Sequence, residues 1–236
     1  MLGKNVIVSV ISLFASAGPV MAAPIVIDGL TQGPLNVSAS GAFAQNGANQ
    51  SSVDAVGGNR AVSISHLFDP GTSSVSLATG GPLTVTGADD YLSLGYGYTY
   101  VGGGFNGNQE INLDLSGASA LEFDFGSINS GNVGLIINLT TDKGGGNYGY
   151  LTNNNPGDHS FFTSSAGALI VPFSQLENDG IDLSKINLME FSLQSSDSFT
   201  LSSITAIPEP ATLLLLPGAL LAMVHRRRSK ASGLMS

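Results

Sequence analysis

INLDLSGASALEFDF, residues 111–125, is the stretch that decides the fold. In its second half, large apolar residues alternate with the two carboxylates Glu122 and Asp124. A period of two places the apolar side chains on one face of a strand and the carboxylates on the other. Ser116-Gly117, between the two halves, is typical of a turn. The stretch therefore predicts two half-buried β-strands joined by a short turn.

The same period recurs along the chain, in about a dozen segments separated by Gly, Asn, Asp, Ser and Pro. We expect strands at IVI (25–27), LNVSA (35–39), AVSISHLF (61–68), SVSLA (74–78), LTVT (83–86), YLSLGYGYTYV (91–101), INLDL (111–115), ALEFDF (120–125), GLIINLT (134–140), ALIVPF (168–173), LMEFSLQ (188–194) and FTLSSI (199–204). Only PFSQLEND suggests a helical turn, and the chain shows no heptads, fixed repeat or break in composition. We predict one all-β domain over 23–206, an antiparallel two-sheet sandwich.

Composition narrows the classes of function. The chain of 236 residues has no Cys, which excludes a disulfide framework and a cysteine zinc site. Between residues 23 and 207, three basic residues stand against 16 acidic ones, a net charge of −13. Such a body repels nucleic acid and anionic lipid. It suits neutral glycans, cations or solubility outside the cell.

Residues 1–22 have the features of a secretory signal peptide. Lys4 provides the positive charge, residues 6–17 are apolar, and small residues precede the cleavage site. We predict that signal peptidase cuts between Ala22 and Ala23. An uncleaved membrane helix is the alternative interpretation.

The C-terminal end carries a short apolar run before a basic cluster. Residues 211–224 would form a helix of about 21 Å, whereas a bilayer core is roughly 30 Å thick. Arg226, Arg227 and Arg228 follow, and such clusters stay in the cytoplasm. These features predict a short transmembrane helix that holds the chain only briefly.

Pro208-Glu209-Pro210 directly precedes the apolar run, and the motif, run and Arg cluster together resemble the PEP-CTERM sorting signal, over residues 207–230. The resemblance implies export, processing by an exosortase, and a final place at the cell surface or in an extracellular polysaccharide or biofilm matrix. The two prolines keep the motif extended, as a protease cleft requires. An ordinary C-terminal anchor is the alternative.

The body resembles the galactose-binding-like jelly roll of many carbohydrate-binding modules. The resemblance covers about residues 109–204 and rests on Asp114-Leu115-Ser116-Gly117, Val171-Pro172-Phe173-Ser174 and Asp182-Leu183-Ser184-Lys185-Ile186. It implies a jelly roll and a polysaccharide ligand. Many such modules hold calcium with acidic residues of the last strand, where this chain has Ser202-Ser203. Asp28 could supply one ligand, so structural calcium stays open without support, and we predict no other cofactor.

Tyrosines are the candidate glycan-binding residues. Tyr96, Tyr98 and Tyr100 share a parity with Leu92 and Leu94, so one straight strand would place all five on one face. That face is either a platform for stacking sugar rings or the core side of the sheet, and the two leucines favour the core. Tyr100 is then the residue nearest the rim. Tyr148 and Tyr150 form a second candidate.

Glu122 and Asp124 have the parity of a paired carboxylate site, as in glycosidases. Charged residues that alternate with apolar ones are, however, the ordinary pattern of a half-solvated strand, and we favour that interpretation.

Two glycine patterns, at 102–107 and 144–149, fit GxGxxG. Alternating segments rather than helices follow both, so we interpret them as connections between strands and not as nucleotide sites. Asp89-Asp90 and Asn153–Asp158 are interpreted first as turns and second as calcium loops.

His66 and His159 are the body's two histidines, and neither fits a catalytic triad or a ligand pair. We expect His66 to face solvent. The sequence therefore favours a non-enzymatic exported protein that binds or organises extracellular polysaccharide. A structural or adhesive matrix protein without specific sugar binding is the alternative, and a glycan-processing enzyme that uses Glu122 and Asp124 is a third.

Overall fold

A computed structural model describes residues 22–67, 71–87, 90–129, 131–153 and 161–209. Pro24–Ile207 forms one compact unit. Several predicted features lie outside the described residues: the predicted signal peptide up to residue 21, His159, Pro210, the apolar run, and Arg226, Arg227 and Arg228. β-Strands predominate in the described parts of the chain, and the helical elements there are short 3-10 turns at Val56–Gly58 and Phe173–Gln175. None of the helices in these parts is both long and apolar enough to span a membrane.

Two large antiparallel sheets make up the fold. In sheet A the strand order is β14-β10-β17-β6-β5-β2, and β1 pairs with β17. Its strands are β1 Ile25–Asp28, β2 Leu35–Ser40, β5 Thr72–Leu77, β6 Leu83–Thr86, β10 Ala118–Ile128, β14 Gly167–Pro172 and β17 Phe199–Pro208.

In sheet B the order is β15-β12-β11-β16-β7-β4-β3, and β13 pairs with β11. Its strands are β3 Gln45–Ser51, β4 Asn59–His66, β7 Asp90–Tyr96, β11 Val133–Gly144, β12 Asn147–Thr152, β13 Phe161–Thr163, β15 Glu177–Asp179 and β16 Leu188–Ser195. A separate hairpin consists of β8 Tyr98–Val101 and β9 Gly104–Gly107.

The core lies between the inner faces of the two sheets. In sheet B, Ile137, Phe191, Leu94 and Val62 lie opposite one another on successive strands, and all four are fully buried. Phe123 of sheet A meets Phe191 edge to face, with ring centroids 5.1 Å apart. Such burial is the main stabilisation of a chain without disulfides. The predicted all-β antiparallel sandwich is confirmed.

The prediction made from residues 111–125 is confirmed for its second half only. Residues 120–125 lie within β10, and the expected turn at Ser116-Gly117 and the helical turn at Phe173 are present. The strand predicted at 111–115 is wrong, because this segment makes only one isolated bridge, Leu113 to Ile186. Asn112 has a φ of 50°, which interrupts an extended strand at this point.

The straight strand predicted at 91–101 is also wrong. Gly97 has a φ of 80°, so the chain leaves sheet B after Tyr96 and enters the hairpin at Tyr98. Tyr96 is fully buried, as the core interpretation predicts for it. Tyr98 and Tyr100 are half-buried and no longer share its face.

His66 does not face solvent, contrary to expectation. Its side chain is buried, and Nδ1 lies 2.6 Å from Ser73 Oγ. The Ser73 hydroxyl in turn donates to Asp90, which is buried in β7 rather than placed in a turn. The serine thus joins the imidazole to the carboxylate, whereas a catalytic triad places the imidazole between the serine and the acid.

Candidate functional site

The outer face of sheet B carries rows of aligned polar and small side chains. One row runs Asn138, Glu190, Gly95, Ala61 across four strands. The next row contains Ser192, Ser93 and Ser63, and the hydroxyls of Ser93 and Ser192 lie 2.9 Å apart. Ala61, Ser63 and Ser192 of these rows are buried, so this part of the outer face is covered rather than open to a partner.

The hairpin β8–β9 packs onto this face through glycines. At Gly95 an added Cβ would meet the ring of Phe105 at 3.1 Å, and at Gly47 it would meet the ring of Tyr100 at 2.6 Å. The two rings therefore lie directly on the sheet backbone. Asn49 fixes the hairpin, because its side chain donates to Tyr100 O at 3.1 Å and accepts from Tyr100 N at 2.7 Å. The hairpin forms a wall at one side of the outer face.

Tyr98 stands where this wall meets the sheet. Its ring centroid is 5.7 Å from that of Phe105. Burial, and then the charge of Glu190, raises the pKa of Tyr98 to about 12. With this pKa the phenol stays protonated at ordinary pH, although an interaction with the Thr140 side chain of β11 opposes part of the rise.

Tyr148 and Tyr150 lie farther across the same face, on β12. They pair with Asp142 and Thr140 of β11, which places both on the outer side. Their rings are exposed by 45% and 40%, with centroids 6.3 Å apart at an interplanar angle of 44°. Two exposed, adjacent aromatic rings on a strand form a surface on which the apolar face of a sugar ring can stack.

A pocket of about 170 Å³ opens beside these tyrosines. Its lining comes from the end of β9 and the segment after it, from β11 and β12, and from the residues at and just before the start of β16: Gly107, Asn108, Gln109, Glu110, Thr140, Asp142, Tyr148, Asn187 and Leu188. Pockets for drug-sized ligands have about 300–1,000 Å³, so this one suits a smaller group such as a single sugar ring. Its amide, carboxylate and hydroxyl groups can both donate and accept hydrogen bonds.

Asn187 organises the pocket. Its side-chain nitrogen donates to Glu110 Oε2 at 3.0 Å, and its oxygen accepts from the Asp142 backbone N–H at 2.7 Å. Asn187 itself is buried. One fixed amide thus holds both the segment after β9 and the end of β11 in place.

Glu190 lies between Tyr98 and the serine row. Burial raises the pKa of Glu190, and a hydrogen bond from Ser192 partly opposes that rise. Burial and the charge of Glu190 also raise the pKa of Tyr91, the residue on β7 opposite Gln194. The outer face therefore combines aromatic rings with one partly desolvated carboxyl group.

The structure brings together some of the predicted site residues. Tyr98, Tyr148 and Tyr150 lie on one connected surface, and Tyr100 forms the wall beside it. Tyr96 belongs to the core, where its hydroxyl donates to Asp28 Oδ2 at 2.9 Å.

The other predicted constellations lie apart from the pocket. Glu122 and Asp124 are on the outer face of sheet A, opposite Ile170 and Ala168 of β14. The two glycine patterns coincide with the β8–β9 and β11–β12 turns, and neither precedes a helix. Asn153, which follows β12, is buried and accepts from Ile137 N at 2.7 Å. Residues 154–158 of the predicted turn lie outside the described residues.

Asp28, which the sequence suggested as a calcium ligand, is already paired with a cationic side chain of the protein, that of Arg60. Arg60 Nε lies 2.9 Å from Asp28 Oδ2, and both side chains are fully buried. Within the described ranges, no group of three or more His, Asp or Glu side chains could hold a metal ion.

The sequence did not single out Glu110, Asp142, Asn187 and Glu190. The only available signal was Glu190, a carboxylate between Met189 and Phe191 in a strongly apolar strand. The other three meet through the register of β11 with β16 and through the fold of the 107–112 segment, which no local pattern specifies.

Of the predicted sorting motif, the structure describes Pro208 and Glu209. Pro208 is the buried last residue of β17, and Glu209 is exposed. Ala22 and Ala23 are exposed.

No protein-family model matches the chain, and neither does any curated protein. Among solved structures, it is similar to the family 11 carbohydrate-binding module from Clostridium thermocellum in complex with a beta-1,3-1,4-mixed-linked tetrasaccharide, with 16% identity, 79% and 97% coverage of the two chains and a TM-score of 0.41. For a solution structure of the same kind of module, the identity is 18%, the match covers 83% of this chain and 99% of that one, and the TM-score is 0.41. An exo-beta-agarase gives 13% identity and a TM-score of 0.33, and the match covers 80% of this chain and 25% of the agarase. Function therefore has to be argued from the site's own residues.

Proposed function

We propose that this protein is a non-catalytic, exported polysaccharide-binding protein, and that it binds glycan on the outer face of sheet B. The binding surface consists of Tyr98, Tyr148, Tyr150 and the adjoining pocket. The observation that carries the proposal is the exposed pair Tyr148 and Tyr150, of which Tyr148 lines a pocket of about 170 Å³. Aromatic rings beside a few convergent polar groups suit the mixed apolar and hydroxyl surface of a sugar.

The chemistry of the site favours binding over turnover. Glu110 and Asp142 line the pocket, but Glu110 is exposed and already accepts a hydrogen bond from Asn187. Glu122 and Asp124 belong to a different sheet face, whose neighbouring side chains on β14 are apolar. A glycosidase needs two carboxyl groups on either side of one scissile bond, one of them with a raised pKa. The carboxyl group with a raised pKa on the outer face is that of Glu190, whose charge in turn raises the pKa of Tyr98.

Export and sorting form a further part of the proposal. Signal peptidase would cut after Ala22, the C-terminal helix would hold the chain in the membrane transiently, and an exosortase would act at Pro208-Glu209-Pro210. The protein would then reside at the cell surface or in an extracellular polysaccharide matrix. Glu209, directly after β17, is exposed, whereas Pro208 is buried. The same proposal includes the jelly-roll resemblance. It also includes no nucleic-acid partner, because the body carries a net charge of −13.

Affinity electrophoresis of the full-length protein tests the binding function. We expect native gels that contain a soluble polysaccharide to retard the protein, with calcium or with EDTA. Tyr148→Ala and Tyr150→Ala should each lower the affinity at least about five-fold, since a stacked ring contributes about 1 kcal/mol.

Phe43→Ala is the matched control, because Phe43 is also an aromatic residue, 76% exposed, but lies on the turn between β2 and β3. It should bind like the wild type. Unchanged mobility across neutral and acidic polysaccharides would refute the binding function. In that case the structural or adhesive matrix protein becomes the better assignment.

A further inference from the structure

The pocket on the outer face of sheet B is acidic on one side. Glu110 and Asp142 both line it, and none of the lining residues is basic. Glu190 adds a third carboxyl group a short distance along the same face, close enough to raise the pKa of Tyr98.

The described basic side chains are engaged elsewhere. Arg60 is buried and paired with Asp28. Lys143 reaches Gly180, beyond the edge of β12, and Lys185 lies beside Asp182. The carboxylates of the pocket therefore have no cationic neighbour within the described lining.

Glu110 is held in place toward the pocket rather than free to swing away. The Asn187 amide donates to Glu110 Oε2 at 3.0 Å, and a second, longer contact of 3.4 Å joins the same nitrogen to Asn112 Oδ1. Because the donor contacts one carboxylate oxygen, the second oxygen stays available to a ligand. Asp142 is similarly fixed, since Gly144 N donates to its Oδ1 at 2.7 Å.

We infer that this pocket selects a protonated amino sugar, so that the preferred ligand is a glycan with free glucosamine-type amines. The inference rests on the proposed glycan-binding function and assigns the ligand class of the same site. An ammonium group donates hydrogen bonds and carries the charge that two carboxylates attract. A neutral sugar keeps the stacking on Tyr148 and Tyr150 but lacks this attraction, and a uronate is repelled.

Three tetrasaccharides with the same backbone linkage test the inference. Chitotetraose carries a free amine at each C2, tetra-N-acetylchitotetraose an acetamide, and cellotetraose a hydroxyl. Titration calorimetry of the full-length protein is run at about pH 5.5, where a sugar amine is protonated. At about 50 mM salt, we expect chitotetraose to bind about five-fold more tightly than the other two, and high salt to reduce this advantage.

Two substitutions separate the pocket from the general acidity of the protein. Glu110→Gln should remove most of the preference for chitotetraose over cellotetraose. Glu122→Gln removes the same charge from the outer face of sheet A and should leave the preference intact.

The outcomes distinguish the two claims. Equal affinity for chitotetraose and cellotetraose would overturn the amine selectivity but leave glycan binding in place. An equal loss of preference in both Glu→Gln variants would also overturn it, because the attraction would then come from net charge alone. Failure of all three tetrasaccharides to bind would count against the selectivity, and in combination with unretarded gels against the binding function itself.

Discussion

Asp28 and Arg60 form a charged pair that has no contact with water. The carboxylate accepts from the Tyr96 hydroxyl and from Leu30 N, and lies against the guanidinium. Burial raises the pKa of Asp28, and the charge of Arg60 and the two hydrogen bonds offset part of that rise. Neither terminal nitrogen of Arg60 has a hydrogen-bond partner within the described residues. The pair therefore joins β1 to β4 without its full complement of hydrogen bonds.

Removing one charge of this pair should be severe. We predict that Asp28→Asn lowers the free energy of unfolding by about 3–5 kcal/mol, because it leaves Arg60 as an uncompensated buried charge. Urea unfolding followed by circular dichroism measures the change. The double variant Asp28→Leu with Arg60→Met should recover most of the loss.

Asp54→Asn is the control, since Asp54 lies near Asp28 but is exposed. A loss as large in Asp54→Asn as in Asp28→Asn would contradict the buried-pair explanation. So would a double variant that is no more stable than Asp28→Asn.

At the residue scale, the sequence predicted which face of a strand a side chain lies on better than it predicted whether a polar side chain is buried. Alternation correctly placed Tyr96 in the core. It could not predict that His66 is buried, because the partners Ser73 and Asp90 come from two other strands. Burial of a polar residue depends on such long-range pairing, which a local pattern does not contain.

At the element scale, Gly97 separates two functions of one chain segment. Before it, β7 contributes Leu92, Leu94 and Tyr96 to the core, and after it β8 contributes to the wall of the site. The carbonyl of Gly97 accepts from Asn108 N and Gln109 N, so the same turn anchors the segment that lines the pocket.

Gly97→Ala should damage both stability and the pocket. The φ of 80° disfavours a Cβ, which would also lie 2.7 Å from Gln109 O and 2.8 Å from Asn187 O. We predict a loss of about 2 kcal/mol or more in the free energy of unfolding, measured by urea titration, together with weaker glycan binding. Gly104→Ala, in β9, should change little because nothing lies within 4 Å of its added Cβ. Similar losses in the two variants would show that the constraint at Gly97 is not specific.

The strands of both sheets differ in how well they could be predicted from their sequences. β10, β11 and β16 each carry three or four large apolar residues at alternate positions, and they were predicted. β3, with the sequence QNGANQS, was missed because it has almost no apolar residues and pairs at the edge of sheet B. Edge strands bury little, so hydrophobic period is a weak signal for them.

At the scale of the whole molecule, the two sheets have different outer surfaces. The outer face of sheet A presents mainly hydroxyl and amide side chains, such as Asn36, Ser76 and Thr84 in one aligned row. The outer face of sheet B carries the tyrosines, the pocket and the hairpin wall. Composition and period were enough to predict two sheets, but not which outer face holds the site, because that depends on the hairpin inserted after Gly97.

Hydrogen–deuterium exchange of the full-length protein, with and without a polysaccharide that retards it in native gels, tests the central claim most directly. If glycan binds on the outer face of sheet B, ligand should slow exchange in residues 107–112, 140–150 and 187–192, the segments around the pocket. Exchange in β2, β5 and β6 of sheet A should stay the same. Protection that appears on those sheet A strands, with none around the pocket, would contradict the assignment of the binding face.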